Sequence, residues 1–298
     1  MKIKKFSIFL IAFLGITIGC TNNNDASSDT GKLIVQLTDA PFPHDLVAEA
    51  NVTVFKIDAR NKSMDAEADM DSEMTLEEDG SPFVVLMEEE IEVNLLDLTN
   101  GVTETLANIE VPVGNYDLVR VYVKGVNVVL TDGTTYNLDV PSGEQTGIKV
   151  FIKPGLTVTG GISSDLLLDF DVSRSFVAKG STKKVEGITG FNFKPVIKAS
   201  NMSTAGTLMG TVLSIEEELE IALEGAQISV FAADTLNTTG FSDADGNYAI
   251  MGLDAGTYKA LAELEGYFPS DTLDVEIAAA NKTIQDFELE LETVEEGN

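Results

Sequence analysis

The feature that most constrains this fold is a series of short segments rich in β-branched and aromatic residues, separated by Gly, Asp, Asn and Pro. In the segment KLIVQLTD, the apolar residues Leu33, Val35 and Leu37 occupy alternate positions, as in a strand that buries one face. From residue 31 onward, long stretches with helical spacing of apolar residues are nearly absent. Closely spaced strands joined by turn residues are typical of sandwiches and barrels. The sequence therefore predicts an all-β fold.

Three local details of this β structure can be examined from the sequence. In NVTVFKID the apolar alternation shifts by one residue at Phe55, which indicates a β-bulge. The pair Asp132-Gly133 lies between two apolar runs and predicts a hairpin turn. The segment IEEELEIALE, residues 215–224, fits a strand and a helix equally, because its apolar residues satisfy both periods.

The length of the chain indicates two domains. Its 298 residues exceed the roughly 100 to 200 residues of a typical domain. The small, polar segment ASNMSTAG at residues 199–206 separates two strand-rich regions, as expected of a domain boundary. We therefore expect two β-sandwich-like domains, the first at residues 31–200 and the second at residues 206–293.

The N-terminal region carries targeting information rather than structure. A basic start precedes an apolar run at residues 6–18, so residues 1–19 are predicted to be a signal peptide. The Gly19-Cys20 pair that follows resembles the lipobox of bacterial lipoproteins, in which cleavage leaves the Cys first and a lipid is attached to its sulfur. This resemblance implies lipidation of Cys20, the only Cys in the chain. Residues 20–30 are polar and are expected to form a flexible tether.

The lipid on Cys20 is then the predicted membrane attachment, because no other segment reaches about 18 consecutive apolar residues. We expect an outer-membrane lipoprotein of the cell envelope, with its folded part facing the cell surface in preference to the periplasm. The oligomeric state stays open.

Composition argues against several function classes. With 49 acidic and 19 basic residues, the chain has a formal charge of −30, which repels nucleic acid. The only His is His44, so a zinc site built from His is excluded. There is no G-x-S-x-G motif to indicate a nucleophilic Ser. We expect no cofactor, no nucleic-acid partner and no enzymatic activity. Hydrolysis by a pair of carboxylates remains an alternative.

Two acidic segments could bind calcium, which prefers oxygen ligands. The first is an acidic insert at about residues 58–81, whose candidate ligands lack a fixed spacing; they are Asp65, Glu67, Asp69 and Asp71. The second places candidates at positions 1, 3, 5 and 12 of an EF-hand-like loop; they are Asp243, Asp245, Asn247 and Asp254. Position 6 of that loop is Tyr248 instead of the required Gly. A tight Asp-Gly hairpin turn is therefore the preferred interpretation, with calcium as the alternative.

The segment DVSRS matches a D-x-S-x-S metal motif at Asp171, Ser173 and Ser175. That motif joins a buried parallel strand to a helix, and the following residues have no helical pattern. The preferred interpretation is a strand leaving the core, with Asp169 and Asp171 facing solvent on either side of Phe170. Residues 141–149, PSGEQTGIK, lack the Gly-Lys-Ser/Thr ending of a phosphate loop.

Several segments carry a resemblance to a known family. GKLIVQLTDAPFP, YDLVRVYVKGVNVVLTDG, LLLDFDVSRSFVAKG and FKPVIKA occur in this order within residues 31–200 and resemble the family called domain of unknown function 4382. The resemblance implies an all-β domain of bacterial lipoproteins with no assigned activity.

The second region, residues 206–293, resembles the carboxypeptidase regulatory-like domain through GTLMGTV, LEGAQISVF and TTGFSDADGNYAIMGLDAGTYKALAELEGYFP. This resemblance implies a transthyretin-like sandwich of a fold group that includes carbohydrate-binding modules. Gly246 and Gly256 are expected at turns with positive φ. Five aromatic residues are expected in the core; they are Phe241, Tyr248, Tyr258, Tyr267 and Phe268.

These observations favour a non-catalytic, lipid-anchored envelope protein that binds carbohydrate or a protein partner. One alternative is a structural spacer or assembly component of an envelope complex. The other is a polysaccharide hydrolase that uses two acids. No ligand-binding residue can be named from the sequence.

Overall fold

The computed structural model describes residues 29–39, 46–67, 82–140 and 143–292. Strands dominate these ranges and the helices are short, so the predicted all-β, two-domain fold is confirmed. The first domain contains β1 (Thr30–Thr38), β2 (Val47–Asn61), β3 (Phe83–Met87), β4 (Ile91–Asn94), β5 (Glu104–Pro112), β6 (Gly114–Leu130), β7 (Thr135–Asn137), β8 (Ile148–Val158), β9 (Ser163–Phe170), β10 (Phe176–Gly180), β11 (Ile188–Phe193) and β12 (Ile197–Asn201).

Short helices connect some of these strands. They are α1 (Lys62–Glu67), α2 (Gly143–Thr146), α3 (Val172–Ser175) and two 3₁₀ turns at Leu95–Leu98 and Val185–Gly187. The second domain contains β13 (Ala205–Glu216), β14 (Leu219–Ala222), β15 (Gln227–Ala232), β16 (Thr235–Phe241), β17 (Asn247–Asp254), β18 (Gly256–Glu263), β19 (Leu273–Ile277), β20 (Lys282–Ile284) and β21 (Phe287–Glu288).

The first domain contains a ten-stranded sheet with the main order β3-β2-β6-β8-β12-β9-β1-β5, in which β4 pairs with β2 and β7 pairs with β6. Strands β10 and β11 form a separate two-stranded sheet. Most pairs are antiparallel, but β1 pairs with β9 and β8 pairs with β12 in parallel. The alternation in β1 is confirmed, because Leu33, Val35 and Leu37 are fully or almost fully buried. Side chains from both halves of the sheet meet in one hydrophobic core. Each buried Val or Leu contributes roughly 1.5–3 kcal/mol through removal of apolar surface from water.

Strand β9 is buried on both faces, as its uninterrupted run of apolar residues indicates. Leu166, Leu168 and Phe170 point into the core of the first domain. Leu167 is equally buried but faces the second domain, where a Cβ added at Gly252 would lie 3.4 Å from its Cδ2. An uninterrupted apolar run is the expected signature of a strand that is covered on both sides.

Two of the local predictions for the first domain are confirmed. The pairing of β2 with β6 shifts register between Val54 and Lys56, which is a bulge at Phe55. β6 and β7 form an antiparallel hairpin across Asp132-Gly133. In that turn, Asp132 accepts the Thr134 N–H at 2.8 Å through its side chain.

Within the acidic insert, the first residues continue strand β2 to Asn61, and α1 follows. Residues 58–61 belong to the sheet because Ala59 is fully buried in the core and Asp58 forms an ion pair with Arg120. Residues 68–81 lie outside the described ranges.

The second domain is a sandwich of two sheets, β14-β13-β17 with β20 and β21 paired to β13, and β16-β15-β18-β19. Its core includes the buried rings of Tyr248 and Tyr258. The ambiguous segment 215–224 forms strands: β13 and β14 pair in antiparallel orientation through a two-residue loop at Glu217 and Glu218. Both loop residues have positive φ, as this hairpin geometry requires.

The two domains are joined by a tight turn and docked by hydrogen bonds to β17. Asn100 donates from Nδ2 to the Asn247 carbonyl oxygen at 2.9 Å and accepts the Ala249 N–H at 3.0 Å. At the other end of β17, Ser200 donates its hydroxyl to the Gly252 carbonyl oxygen at 3.0 Å. These contacts fix the second domain against the first.

Candidate functional site

The structure does not describe several of the residues singled out from the sequence, and for two others it describes the backbone but not the side chain. Cys20, His44, Asp69 and Asp71 belong to the first group, and Asp65 and Glu67 to the second. Lipidation of Cys20 and calcium binding by the acidic insert therefore stay predictions. None of the helices in the described part of the chain combines the length and apolar character that a membrane span requires.

The segment that begins at Asp243 forms a tight turn before β17. Asp243 accepts the Asp245 N–H at 3.0 Å and the Asn247 N–H at 2.9 Å through Oδ1. Gly246, with φ of 76°, provides the positive φ predicted for this turn. The carboxylate of Asp243 thus satisfies the backbone of its own turn, as Asp residues commonly do.

Asp254 is separated from this turn by the whole length of β17. A strand of eight residues spans about 20 Å or more between its ends, so Asp254 cannot join Asp243 around a single ion. The structure therefore does not bring the four EF-hand-like positions together. It keeps Asp243, Asp245 and Asn247 close to one another, and calcium at these three residues remains a prediction.

The D-x-S-x-S segment builds the short helix α3. Asp171 caps α3 by accepting the Arg174 N–H at 2.9 Å, and it also accepts the Ser173 hydroxyl at 2.8 Å. Ser175 is fully buried and accepts the Val196 N–H through its hydroxyl oxygen at 2.9 Å. These groups serve the local backbone. The expectation of a strand leaving the core, with Asp169 and Asp171 facing solvent, is wrong, because α3 follows β9 and both residues are half-buried. Asp169 lines a cavity between the two domains.

This interdomain cavity contains the most unusual carboxyl group in the described part of the chain, Asp39. Asp39 follows β1, and its neighbour Thr38 lies opposite Asp169 in the parallel pair of β1 and β9. The Asp39 side chain is 5% exposed, and Oδ1 accepts the Val172 N–H at 3.0 Å. Oδ2 has no hydrogen-bond partner among the described residues.

The environment of Asp39 disfavours its charged form. Burial raises the pKa of Asp39 well above its usual value, and the nearby charges of Asp169 and Asp171 raise it further. The hydrogen bond from the Val172 N–H acts in the opposite direction but does not compensate. An unpaired buried charge is costly, so burial favours the neutral, protonated form of this carboxyl group.

The cavity has a volume of about 20 Å³ and is lined by residues of both domains. The first domain contributes Asp39 and Asp169, and the second domain contributes Thr238 and Thr239 of β16. A space of this size holds one water molecule or one ion. Sequence reasoning missed Asp39 because it stands at a strand end without a metal motif. Only the parallel pairing of β1 with β9 brings it to Asp169.

A second candidate site is an open groove in the second domain, which we call the aromatic groove. It has a volume of about 520 Å³. Two half-buried rings and four polar side chains line it; they are Phe241 and Tyr267 with Gln227, Glu263, Glu265 and Glu292. An apolar surface accompanied by a few polar groups is typical of ligand sites.

The aromatic groove changes the expectation for the aromatic residues of this domain. Tyr248 and Tyr258 are in the core as expected. Phe241 and Tyr267 are only half-buried, and Phe268 is 52% exposed. Tyr267 packs partly buried against the core and forms a β-bridge with Leu291, whereas Phe268 next to it turns towards solvent.

Two family profiles match the chain. The family described as Domain of unknown function (DUF4382) matches residues 30–195, and the Carboxypeptidase regulatory-like domain matches residues 207–290. These matches confirm both resemblances inferred from the sequence. The second match is consistent with the β-sandwich described above. No curated protein matches the chain.

Among solved structures, the minor pilin GBS52 of Streptococcus agalactiae is 10% identical, with a TM-score of 0.27, and covers 90% of this chain and 99% of its own. The shaft pilin SpaA of Lactobacillus rhamnosus GG is 12% identical, with a TM-score of 0.26, and covers 89% of this chain and 99% of its own. The Bacillus anthracis TIE protein is 11% identical, with a TM-score of 0.27, and covers 90% of this chain and 40% of its own. TM-scores this low carry no conclusion about fold or function.

The profile of the first domain spans more than half of the 298 residues. The chain therefore belongs to the family described as Domain of unknown function (DUF4382).

Proposed function

We propose that this chain is a non-catalytic, lipid-anchored protein of the cell envelope whose aromatic groove binds carbohydrate. The observation that carries this proposal is the placement of the Phe241 and Tyr267 rings in an open groove beside carboxylate and amide side chains. Ring faces give an apolar contact for the C–H surface of a sugar, and polar side chains can hydrogen-bond its hydroxyl groups.

The charge of the groove limits the class of glycan. Glu263, Glu265 and Glu292 contribute carboxylates, and none of the described residues that line the groove is Lys or Arg. Anionic polysaccharides would be repelled by this site and by the formal charge of −30. Neutral glycans are therefore the expected ligands.

The test is depletion of the purified full chain from solution by insoluble neutral polysaccharides such as cellulose, chitin and xylan. We expect one of them to bind the chain, and we expect Tyr267→Ala to weaken binding about tenfold or more, since aromatic anchors dominate binding surfaces. Phe151→Ala is the matched control, because Phe151 is an exposed ring, 57% accessible, in the first domain. Equal binding by wild type and Tyr267→Ala would contradict the proposal. Release of reducing ends from the polysaccharide would instead support the hydrolase alternative.

The spacer alternative is favoured by a different observation, the docking of the two domains through Asn100 and Ser200. Two domains that are docked together keep a fixed separation, whereas two domains on a free linker move relative to each other. A spacer would co-purify with envelope proteins after cross-linking in cells and would ignore every glycan. Co-purification that survives Tyr267→Ala, together with no glycan binding, would favour this alternative.

The envelope location rests on Cys20 and is tested separately. Cys20→Ala should move the protein from the membrane fraction to the soluble fraction, because the lipid is its predicted attachment. Persistence of Cys20→Ala in the detergent phase would contradict the anchor. Protease treatment of intact cells, followed by detection of the second domain, distinguishes surface exposure from a periplasmic location.

A further inference from the structure

Several basic residues of this acidic chain are concentrated on one part of the large sheet. Strands β2, β6 and β8 carry six of them; they are Lys56, Arg60, Arg120, Lys124, Lys149 and Lys153. The second domain, by contrast, contains 18 acids and two Lys between residues 206 and 292. It contacts the neighbouring strands β9 and β12 at Leu167 and Ser200, whereas Phe151 of β8 is 57% exposed. The outward side of β8 is therefore not covered by the second domain.

Lys149 and Lys153 of β8 are the cations of this surface whose charge is not neutralised locally. The other four each form an ion pair with an acid of the first domain, but among the described residues Lys149 and Lys153 form none. Both are exposed and alternate with Phe151, so the three side chains point to the same side of the strand. The Lys153 Nζ lies 6.0 Å from the centre of the Phe151 ring. We call these three residues the lysine face, and its chemistry favours an acidic, partly apolar partner.

A surface of the opposite character lies on the second domain, at residues 215–222, which we call the acidic hairpin. Leu219 is 67% exposed and Ile221 is 37% exposed, and they point to the same side because they alternate in β14. Four acids accompany them in the hairpin; they are Glu216, Glu217, Glu218 and Glu220. Within the described ranges β14 pairs with β13 alone, so its outer edge presents unpaired backbone groups.

We propose that the acidic hairpin of one chain docks on the lysine face of a second copy. The two cations would meet carboxylates of the hairpin, and the Phe151 ring would pack against Leu219 and Ile221. Within one chain the two surfaces do not cover each other, because Phe151 and Leu219 are both largely exposed. The expected partner is a second copy because this chain itself provides the acidic, apolar surface that the lysine face requires.

Such a contact joins two different surfaces and is therefore heterologous. Each docked copy keeps one surface available for a further copy, so the chains would assemble head to tail. The formal charge of −30 opposes association, which makes the contact weak in solution. Copies anchored in one membrane would meet at a much higher effective concentration. The contact does not use the rings of the aromatic groove, so the glycan proposal and this one can fail independently.

The experiment measures self-association by sedimentation velocity. It uses the Cys20→Ala chain, so that the lipid does not drive association, and we expect this chain to associate as its concentration rises. Lys149→Glu combined with Lys153→Glu should weaken association about tenfold or more, and so should Glu217→Lys combined with Glu218→Lys, because each pair of changes brings like charges together. An equal mixture of the two double variants should associate again, because each variant then finds the opposite charge on the other.

Lys183→Glu combined with Lys184→Glu is the matched control. It makes the same change of charge at two exposed lysines outside the lysine face and should associate like the parent chain. A parent chain that stays monomeric at every concentration overturns the proposal, as does a control that loses association or a mixture that does not regain it. If a double variant does not fold, the single changes Lys153→Glu and Glu218→Lys replace it in the same design.

Cross-linking with a carbodiimide identifies the occupant, because this reagent joins a Lys amine to a carboxylate in direct contact. In a mixture of isotope-labelled and unlabelled chains, we expect Lys149 or Lys153 of one copy to be linked to an acid of the acidic hairpin of the other. Links from these two lysines to the acidic insert of the same chain would assign the lysine face to that segment and overturn the proposal.

Discussion

Two acidic regions of this molecule behave in opposite ways. The turn at Asp243 resembles a calcium-binding motif. However, Asp243 Oδ1 already accepts hydrogen bonds from the backbone N–H groups of Asp245 and Asn247. Asp39 stands in no metal motif, yet its Oδ2 is buried without a hydrogen-bond partner among the described residues. The first carboxylate is a structural group of its own turn, whereas the second is a buried carboxyl group whose environment favours the neutral form.

This difference shows that the number of acids in a segment is a poor guide to a site. What matters is whether the surrounding backbone and side chains already satisfy each oxygen. Asp58 illustrates the satisfied case inside the sheet, because Arg120 donates to both of its oxygens at 2.6 Å and the Tyr122 hydroxyl donates at 3.1 Å. The comparison can be tested by removing satisfied carboxylates one at a time.

Asp58→Asn is expected to have the largest effect. The change removes the negative charge opposite Arg120, whose side chain is 25% exposed, while Asp58 itself is almost fully buried. Loss of one partner of a buried pair leaves the other charge uncompensated. We expect the free energy of unfolding to fall by about 2–3 kcal/mol, measured by denaturant unfolding of the full chain.

The control for this change is Asp234→Asn. Asp234 also forms an ion pair, with Lys259 at 2.9 Å, but its side chain is 83% exposed. Exposed pairs contribute little, so the unfolding midpoint should not change measurably. A similar loss in both variants would mean that the burial of Asp58 is not the cause.

Gly246→Ala is expected to have the next largest effect, because it tests the structural role of the Asp243 turn. Gly246 has φ of 76°, and an added Cβ would lie 2.6 Å from the Val212 carbonyl oxygen. Strained φ and this close approach together should lower the free energy of unfolding by about 2 kcal/mol.

Gly225→Ala separates the two contributions at Gly246. Gly225 has almost the same φ, 75°, but an added Cβ would meet nothing within 4 Å. Its cost should be limited to the conformational strain, about 1 kcal/mol. Equal losses at the two glycines would show that the packing against Val212 is unimportant, and the turn would then be free to rearrange around a ligand.

Periodicity and turn chemistry were sufficient for the strands and for several turns. The alternation of Leu33, Val35 and Leu37 and the Asp132-Gly133 hairpin both follow from local rules. The segment 215–224 could not be resolved from its pattern alone, because the decision came from pairing β13 with β14. Pairing partners that lie far away in the sequence leave no local signal.

The candidate sites could be predicted less well for the same reason. Asp39 and Asp169 are 130 residues apart in the sequence and become neighbours only because β1 and β9 are parallel. Tyr267 is a core residue by its sequence pattern, but in the fold it packs against the edge of the core and also lines the aromatic groove. Both sites are products of tertiary arrangement.

Asp117→Asn is expected to have the smallest effect and tests a carboxylate whose environment favours its charged form, opposite to that of Asp39. Arg60 donates to both oxygens of Asp117 at 2.9 Å. The hydrogen bond from Arg60 lowers the pKa of Asp117, and the charge of Arg60 lowers it further. A lowered pKa means that the stabilisation is complete above the unfolded value of about 3.9 and disappears as the pH falls through the folded value.

The size of this effect is limited because both side chains are partly exposed, Arg60 by 30% and Asp117 by 23%. After solvent screening, we expect Asp117→Asn to lower the free energy of unfolding by about 0.5–1 kcal/mol at neutral pH. The gap between wild type and variant should close as the pH falls through the lowered folded pKa of Asp117. Denaturant unfolding at a series of acidic pH values measures this gap. A gap that stays constant with pH would show that the ion pair does not carry the effect. A gap that widens on acidification would reverse the assigned direction, and Asp117 would then resemble Asp39.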